Sequence, residues 1–117
     1  MFVKNINEIY SEEVSAGKDT TRQVLIGPKE APNFAMRKFA IQPGGSMPKH
    51  KNSVEHEQYV LKGRARIGIG DEIYEVKKDD TLYIPANTPH WYECLGDEPF
   101  EFICVVPNSE DKIELVK

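Results

Sequence analysis

PGGSMPKHKNSVEHEQYVLKG, residues 43–63, opens on a Pro-Gly-Gly turn, closes on Lys62-Gly63, and carries His50 and His56 between the two. Side chains alternate along an extended chain. His56, Gln58 and Val60 therefore share one face of the segment, and Glu55, Glu57 and Tyr59 share the other, a solvated strand face. If the segment ending in Lys49-His50 is also extended, His50 and Asn52 point the same way. The chain has three histidines, and the third, His90, lies in IPANTPHWYE. The strand pattern HWYECL puts His90, Tyr92 and Cys94 on one face.

Outward from this stretch the signal is β throughout. RQVLIG closes on Gly27-Pro28, and NFAMRKFAIQ is ended by Pro43-Gly44-Gly45. Lys62-Gly63 leads tightly into RARIGIG, and Gly70-Asp71 turns into EIYEVKK, as antiparallel hairpins require. TLYIP, HWYECL and FEFICVVP complete the series. Short strands with turns recurring about every 8 to 12 residues indicate an all-β sandwich or barrel. No amphipathic helix is expected within residues 22–107. The chain reads as a single domain over 1–117, with a barrel core of about 22–107. An N-terminal arm, 1–21, is expected to be a loop or single turn after a short FVKNI strand, and the charged tail, 108–117, to be peripheral.

Composition excludes several classes. Net charge is −4, with Lys and Arg scattered among Asp and Glu, so no basic stripe attracts a phosphate backbone and nucleic acid is not an expected partner. No apolar run reaches the 18 residues of a membrane helix, and the N-terminus lacks an apolar signal core. The chain therefore reads as cytoplasmic, with Cys94 and Cys104 reduced and buried as small core residues. The hydrophobic fraction, 39%, is somewhat low. A barrel enclosing a polar site, or a chain burying surface in a dimer, has this composition.

Three inward strand faces carry one imidazole each, so a barrel interior could receive His50, His56 and His90 together. Neutral imidazole offers a lone pair suited to Zn, Ni, Cu, Fe or Mn. Three protein ligands leave positions open for water or substrate, as in catalytic rather than structural sites. Gln58, Tyr92 and Cys94 are candidates to line the pocket. Arg37 either joins them, pairing with a substrate carboxylate, or forms an external salt bridge. Trp91 covers the outside of the barrel or a dimer surface.

PGGSMPKHKNSVEHEQYVLKG resembles the first sequence motif of the cupin superfamily: a glycine, His-x-His, a glutamate and a glycine. DTLYIPANTPHWYEC resembles the second, and VLIGPKEAPNFAMRKFAIQPGG resembles the N-terminal part of small single-domain cupins described as oxalate-decarboxylase-like. Gly45, His50 and Gly63 match the first motif, and Pro85 and His90 the second. Asn52 stands in the second histidine's place and His56 in the glutamate's. Asp79, Asn87 and Cys94 replace a glycine, a glycine and an asparagine of the second motif. The resemblance implies a jelly-roll barrel of antiparallel strands, commonly a homodimer. It implies a divalent metal (Mn, Fe, Ni or Zn) on His50, His56 and His90. Asn52 binds that metal, holds a bound water, or does neither. Loss of the glutamate removes a negative charge, so the metal should attract an anionic small molecule more strongly. The implied function is a metal-dependent enzyme on a small organic acid or related oxygenated metabolite, of decarboxylase, dioxygenase or isomerase class. The alternative is a non-catalytic binding or sensing module.

Overall fold

The computed structural model describes residues 1–116. A 3-10 turn, Ile6–Glu8, precedes ten strands: β1 Ser11–Glu13, β2 Lys18–Ile26, β3 Phe34–Asn52, β4 His56–Lys62, β5 Arg64–Ile69, β6 Glu72–Lys77, β7 Thr81–Ile84, β8 His90–Leu95, β9 Phe100–Pro107 and β10 Ile113–Leu115. Every pairing among them is antiparallel. The path β6-β5-β8-β3-β9-β4-β7, with β2 and β10 also on β3, curls into a jelly-roll barrel. No helix among the described residues is long and apolar enough to cross a membrane.

β3 is the organising strand, and it differs from the sequence expectation. Pro43-Gly44-Gly45 does not end it; the strand runs on to Asn52. The register explains how: Thr20 pairs with Ile41 but Lys18 with Ser46, so the intervening residues of β3 bulge out. Pro43 has no N–H to lose from the ladder, and Gly44 takes a φ of +83° that a side chain would resist. The bulge bends the strand, so its first half pairs with β9 and its second half with β8. One strand thus serves both sides of the barrel.

Both termini carry strand that was not expected, while the FVKNI strand does not form: those residues lead as coil into the 3-10 turn. The arm forms β1 and the start of β2, paired from Ser11↔Gln23 to Glu13↔Thr21. The tail forms β10, paired with β3 from Ile113↔Asn52 to Leu115↔His50. Both segments are too short and polar to show a strand pattern of their own, and they become strands because β2 and β3 offer them an unpaired edge.

Alternation does hold through the core. Phe100, Phe102, Cys104 and Val106 of β9 point inward, as do Ala65 and Ile67 of β5 and Leu82 and Ile84 of β7. Phe102 stacks on Phe39 on one side and on Tyr92 on the other, each at 5.2 Å between centroids. Both cysteines are free and buried. Trp91 lies against the backbone of Gly68, where a Cβ would meet its ring nitrogen at 2.0 Å, so any side chain here would have to displace the indole.

Candidate metal centre

The ladder between β3 and β8 sets His50 directly opposite His90. Their ring centroids are 4.2 Å apart. His56 arrives from β4, on the other side of β9, and curling of the sheet brings its ring to 5.8 Å from that of His90. All three are buried. His50 Nδ1 donates to Pro48 O at 2.8 Å, and His90 Nδ1 to Thr88 O at 2.9 Å. A carbonyl only accepts, so each Nδ1 carries the proton and each Nε2 keeps its lone pair. His56 has no carbonyl; its Nδ1 lies 3.4 Å from Cys104 Sγ. Nε2 of His56 and Nε2 of His90 are buried with no hydrogen-bond partner.

Burial pushes the His56 imidazole down to about 3, helped by the Arg37 charge and by the other two histidines. Burial likewise lowers His90 to about 4, against the opposing hydrogen bond to Thr88. Both are neutral at pH 7 and so present lone pairs rather than protons.

A cavity of about 100 Å³ opens on this group. It is lined by the three histidines together with Asn52, Gln58, Tyr92 and Arg37. Arg37 faces inward, in the transverse row Arg37–Cys104–Gln58 that the β3, β9 and β4 registers create. Its Nη2 reaches Cys104 Sγ at 3.4 Å, its guanidinium lies over the Phe39 ring, and its Nε is buried without a partner. Gln58 and Tyr92 hydrogen-bond to each other, Nε2 to Oη at 2.8 Å. Burial raises the Tyr92 hydroxyl above its ordinary range. Asn52 gives its Nδ2 to Asp111 at 3.1 Å, while its Oδ1 is buried and unpartnered.

One candidate belongs elsewhere. Cys94 is buried on the same strand face as His90, but two alternations further along β8 it has passed the cavity, and its Sγ contacts Glu98 O at 3.4 Å. It does not line the pocket. Sequence reasoning missed Cys104, whose inward direction is legible in FEFICVVP but whose neighbours are set by register. It also missed the contributions of the termini: Val14 and Ala16 from the arm and Ile113 and Leu115 from the tail line the same cavity, as does Arg22 of β2.

The donor set fits a divalent transition metal in its chemistry: neutral imidazoles, two of them with buried, orphaned Nε2 atoms. Among the described residues no three His, Cys, Asp or Glu side chains stand in finished ligand geometry. The rings must therefore shift before all three share one ion.

Residues 37–106 match the profile of the cupin domain. The chain is 40% identical over 83 residues to an uncharacterised protein of Methanocaldococcus jannaschii, an alignment covering 67% of this chain and 66% of the relative, so just under two thirds of that relative's length. It is 32% identical over 107 residues to the 1-methylthio-D-xylulose 5-phosphate methylsulfurylase of Rhodospirillum rubrum, covering 91% of this chain and 68% of that protein. Among solved structures, the polyketide cyclase RemF from Streptomyces resistomycificus superposes with a TM-score of 0.91 at 29% identity, over 100% of this chain and 86% of that one. The bent strand β3, the opposed His50–His90 pair and the matched profile together place this chain in the cupin domain family.

Proposed function

We propose that the protein is a metal-dependent enzyme acting on a small anionic, oxygenated metabolite, with His50, His56 and His90 as the metal ligands. The observation that carries this reading is the pair of buried, unpartnered Nε2 atoms on His56 and His90. A buried acceptor without a partner costs stability, so it is retained where a ligand uses it. Mn, Fe, Ni and Zn all suit imidazole. When bound, such a metal supplies Lewis acidity towards substrate oxygens and, as Fe or Mn, a means of activating dioxygen.

The chain's own residues supply the rest. Arg37 places a fixed positive charge and an unused Nε–H at the pocket wall, suited to a carboxylate. Phe39, Phe102 and Tyr92 form an apolar wall that excludes water. The cavity volume of about 100 Å³ favours a small acid over a bulky aromatic substrate. The relatives' named activities differ from one another, so the fold leaves the reaction open. Asn52 Oδ1 is available to the metal or to a bound water. A single domain over the whole chain and a homodimer belong to this reading, and sedimentation velocity checks the second.

A second reading, a binding or sensing module without turnover, draws support from the lining itself. Among the described residues the cavity wall holds no carboxylate, and the Tyr92 hydroxyl is engaged by Gln58 and raised by burial, so none of them presents an evident general base. Loading with Fe, Mn, Ni or Zn followed by metal analysis tests the centre. Near-stoichiometric metal that is lost in His56→Ala is the expected result; occupancy below about one tenth, unchanged by that substitution, ends the metal reading. Oxygen uptake and decarboxylation assays on small acids separate enzyme from module, and ligand-induced thermal shift without turnover supports the module.

A further inference from the structure

The three histidines are not held alike. His50 and His90 each give Nδ1–H to a backbone carbonyl, Pro48 O and Thr88 O, and that contact fixes the tautomer. His56 has only a sulfur, Cys104 Sγ, at 3.4 Å from its Nδ1. We propose that Cys104 is the positioning residue for His56: its sulfur accepts the Nδ1–H and so holds Nε2 as a lone pair for the metal. The proposal rests on the reading of His56 as a ligand.

Two observations carry it. Cys104 is 0% exposed, so no water competes for the contact. The sulfur is approached by two further N–H donors, Arg37 Nη2 at 3.4 Å and Gln58 Nε2 at 3.6 Å, so its surroundings treat it as an acceptor. Neither of those groups can offer His56 an alternative acceptor through the same atoms, because guanidinium and amide nitrogens only donate. The remaining choice is which of His56 and Cys104 donates. A thiol S–H is a weak donor and loses little when unpaired, whereas an imidazole N–H left buried and unpaired loses more. The arrangement Nδ1–H to sulfur therefore wins. It gives His56 the same tautomer as its two neighbours, and its orphaned Nε2 becomes a lone pair like that of His90. Outer partners of this kind orient metal-bound histidines and raise their basicity. Here a cysteine takes the place usually held by oxygen.

The register makes the contact a built one. Cys104 pairs with Arg37 on β3 and with Gln58 on β4, and His56 lies one alternation from Gln58 on the same face. The sulfur is thus held at the centre of the row by two ladders.

The test uses the full chain with two substitutions of similar volume. Cys104→Ser keeps an acceptor, and Cys104→Val removes it. Nitrogen-15 NMR of the metal-free protein reads the His56 tautomer directly, and chelator competition with Zn or Mn reads affinity. In wild type the His56 signal should match those of His50 and His90, with the proton on Nδ1. Cys104→Ser should keep that signature and near-native affinity. Cys104→Val should move the proton towards Nε2 and weaken metal binding about 10- to 100-fold. A wild-type His56 protonated on Nε2 overturns the proposal. So does a Val variant with native tautomer and affinity, or a Ser variant that behaves like Val. If the Val variant does not fold, the wild-type tautomer alone decides. The tautomer is read without metal: a protein that shows it yet takes up no metal refutes the proposed function, and with it the positioning role, while leaving the Nδ1–H contact to Cys104 standing.

Discussion

At the scale of single residues, the pocket is a set of groups whose protonation is fixed by what lies behind them. Backbone carbonyls do this for His50 and His90, and a sulfur for His56. Arg37 is the one guanidinium in this group whose Nε is buried and unused. A charge-assisted hydrogen bond is worth about 1.5–3 kcal/mol, so Arg37→Gln should weaken binding of small carboxylates roughly tenfold to a hundredfold. Isothermal titration of the metal-loaded protein checks this. Equal affinities in variant and wild type would place the anion elsewhere in the cavity. The inward direction of His56, Gln58, Tyr92 and Cys104 was legible from alternation, because the period of a strand is two whatever its neighbours. The neighbours were not legible. Cys94 and Cys104 both point inward, yet one contacts a loop carbonyl and the other the site. The difference is their height along the barrel.

At the scale of elements, β3 decides the site, and its bulge decides β3. Gly44 sits at φ +83° with nothing within 4 Å of where a Cβ would stand. A side chain there meets no clash, so its cost is the backbone strain alone, about 1–3 kcal/mol. Gly44→Val should therefore lower stability by that amount, and Gly44→Asn by less, as read from urea midpoints. A Val variant as stable as wild type would mean that the bend is not set by Gly44. β10 is the second decisive element. Ser53 N bonds Lys112 O, Lys112 N bonds Ser53 Oγ, and Val116 N bonds Lys49 O. These contacts tie the tail across the end of β3 that carries His50 and Asn52. Removing residues 110–117 should speed amide exchange at Lys51 and Ser53, which face the tail in the ladder, and lower Tm, since Ile113 and Leu115 also line the cavity. Unchanged exchange at those amides would show that the tail is peripheral after all.

At the scale of the whole molecule, burying titratable rings couples the site to stability. In the unfolded chain His56 and His90 titrate near 6.5; in the metal-free fold they titrate at about 3 and about 4. Between those values the unfolded chain binds more protons, up to about two per molecule, so folding is favoured as pH rises. The contribution is complete above about pH 6.5, declines as pH falls below that value through 4, and is gone below about 3. Urea midpoints of the metal-free protein should fall steadily from pH 7 to pH 4. In the double variant His56→Gln, His90→Gln that part of the slope should disappear. A wild-type slope no steeper than the variant's would mean that the two rings are hydrated in the fold.

The sequence by itself determined the strand class, the turn-bounded order of β4 to β9, the inward faces of those strands and the three histidines that occupy cupin motif positions. The strands and faces follow from local periodicity and residue type, and the motif positions from the resemblance to cupins. Tertiary structure alone decided that Pro43-Gly44-Gly45 is a bend within a strand, that both termini join the sheet, that Cys104 stands behind His56, and that Arg37 faces the cavity beside it. Each of these depends on register, and register is a relation between segments distant in the chain. A one-residue slip would invert it without changing any local pattern.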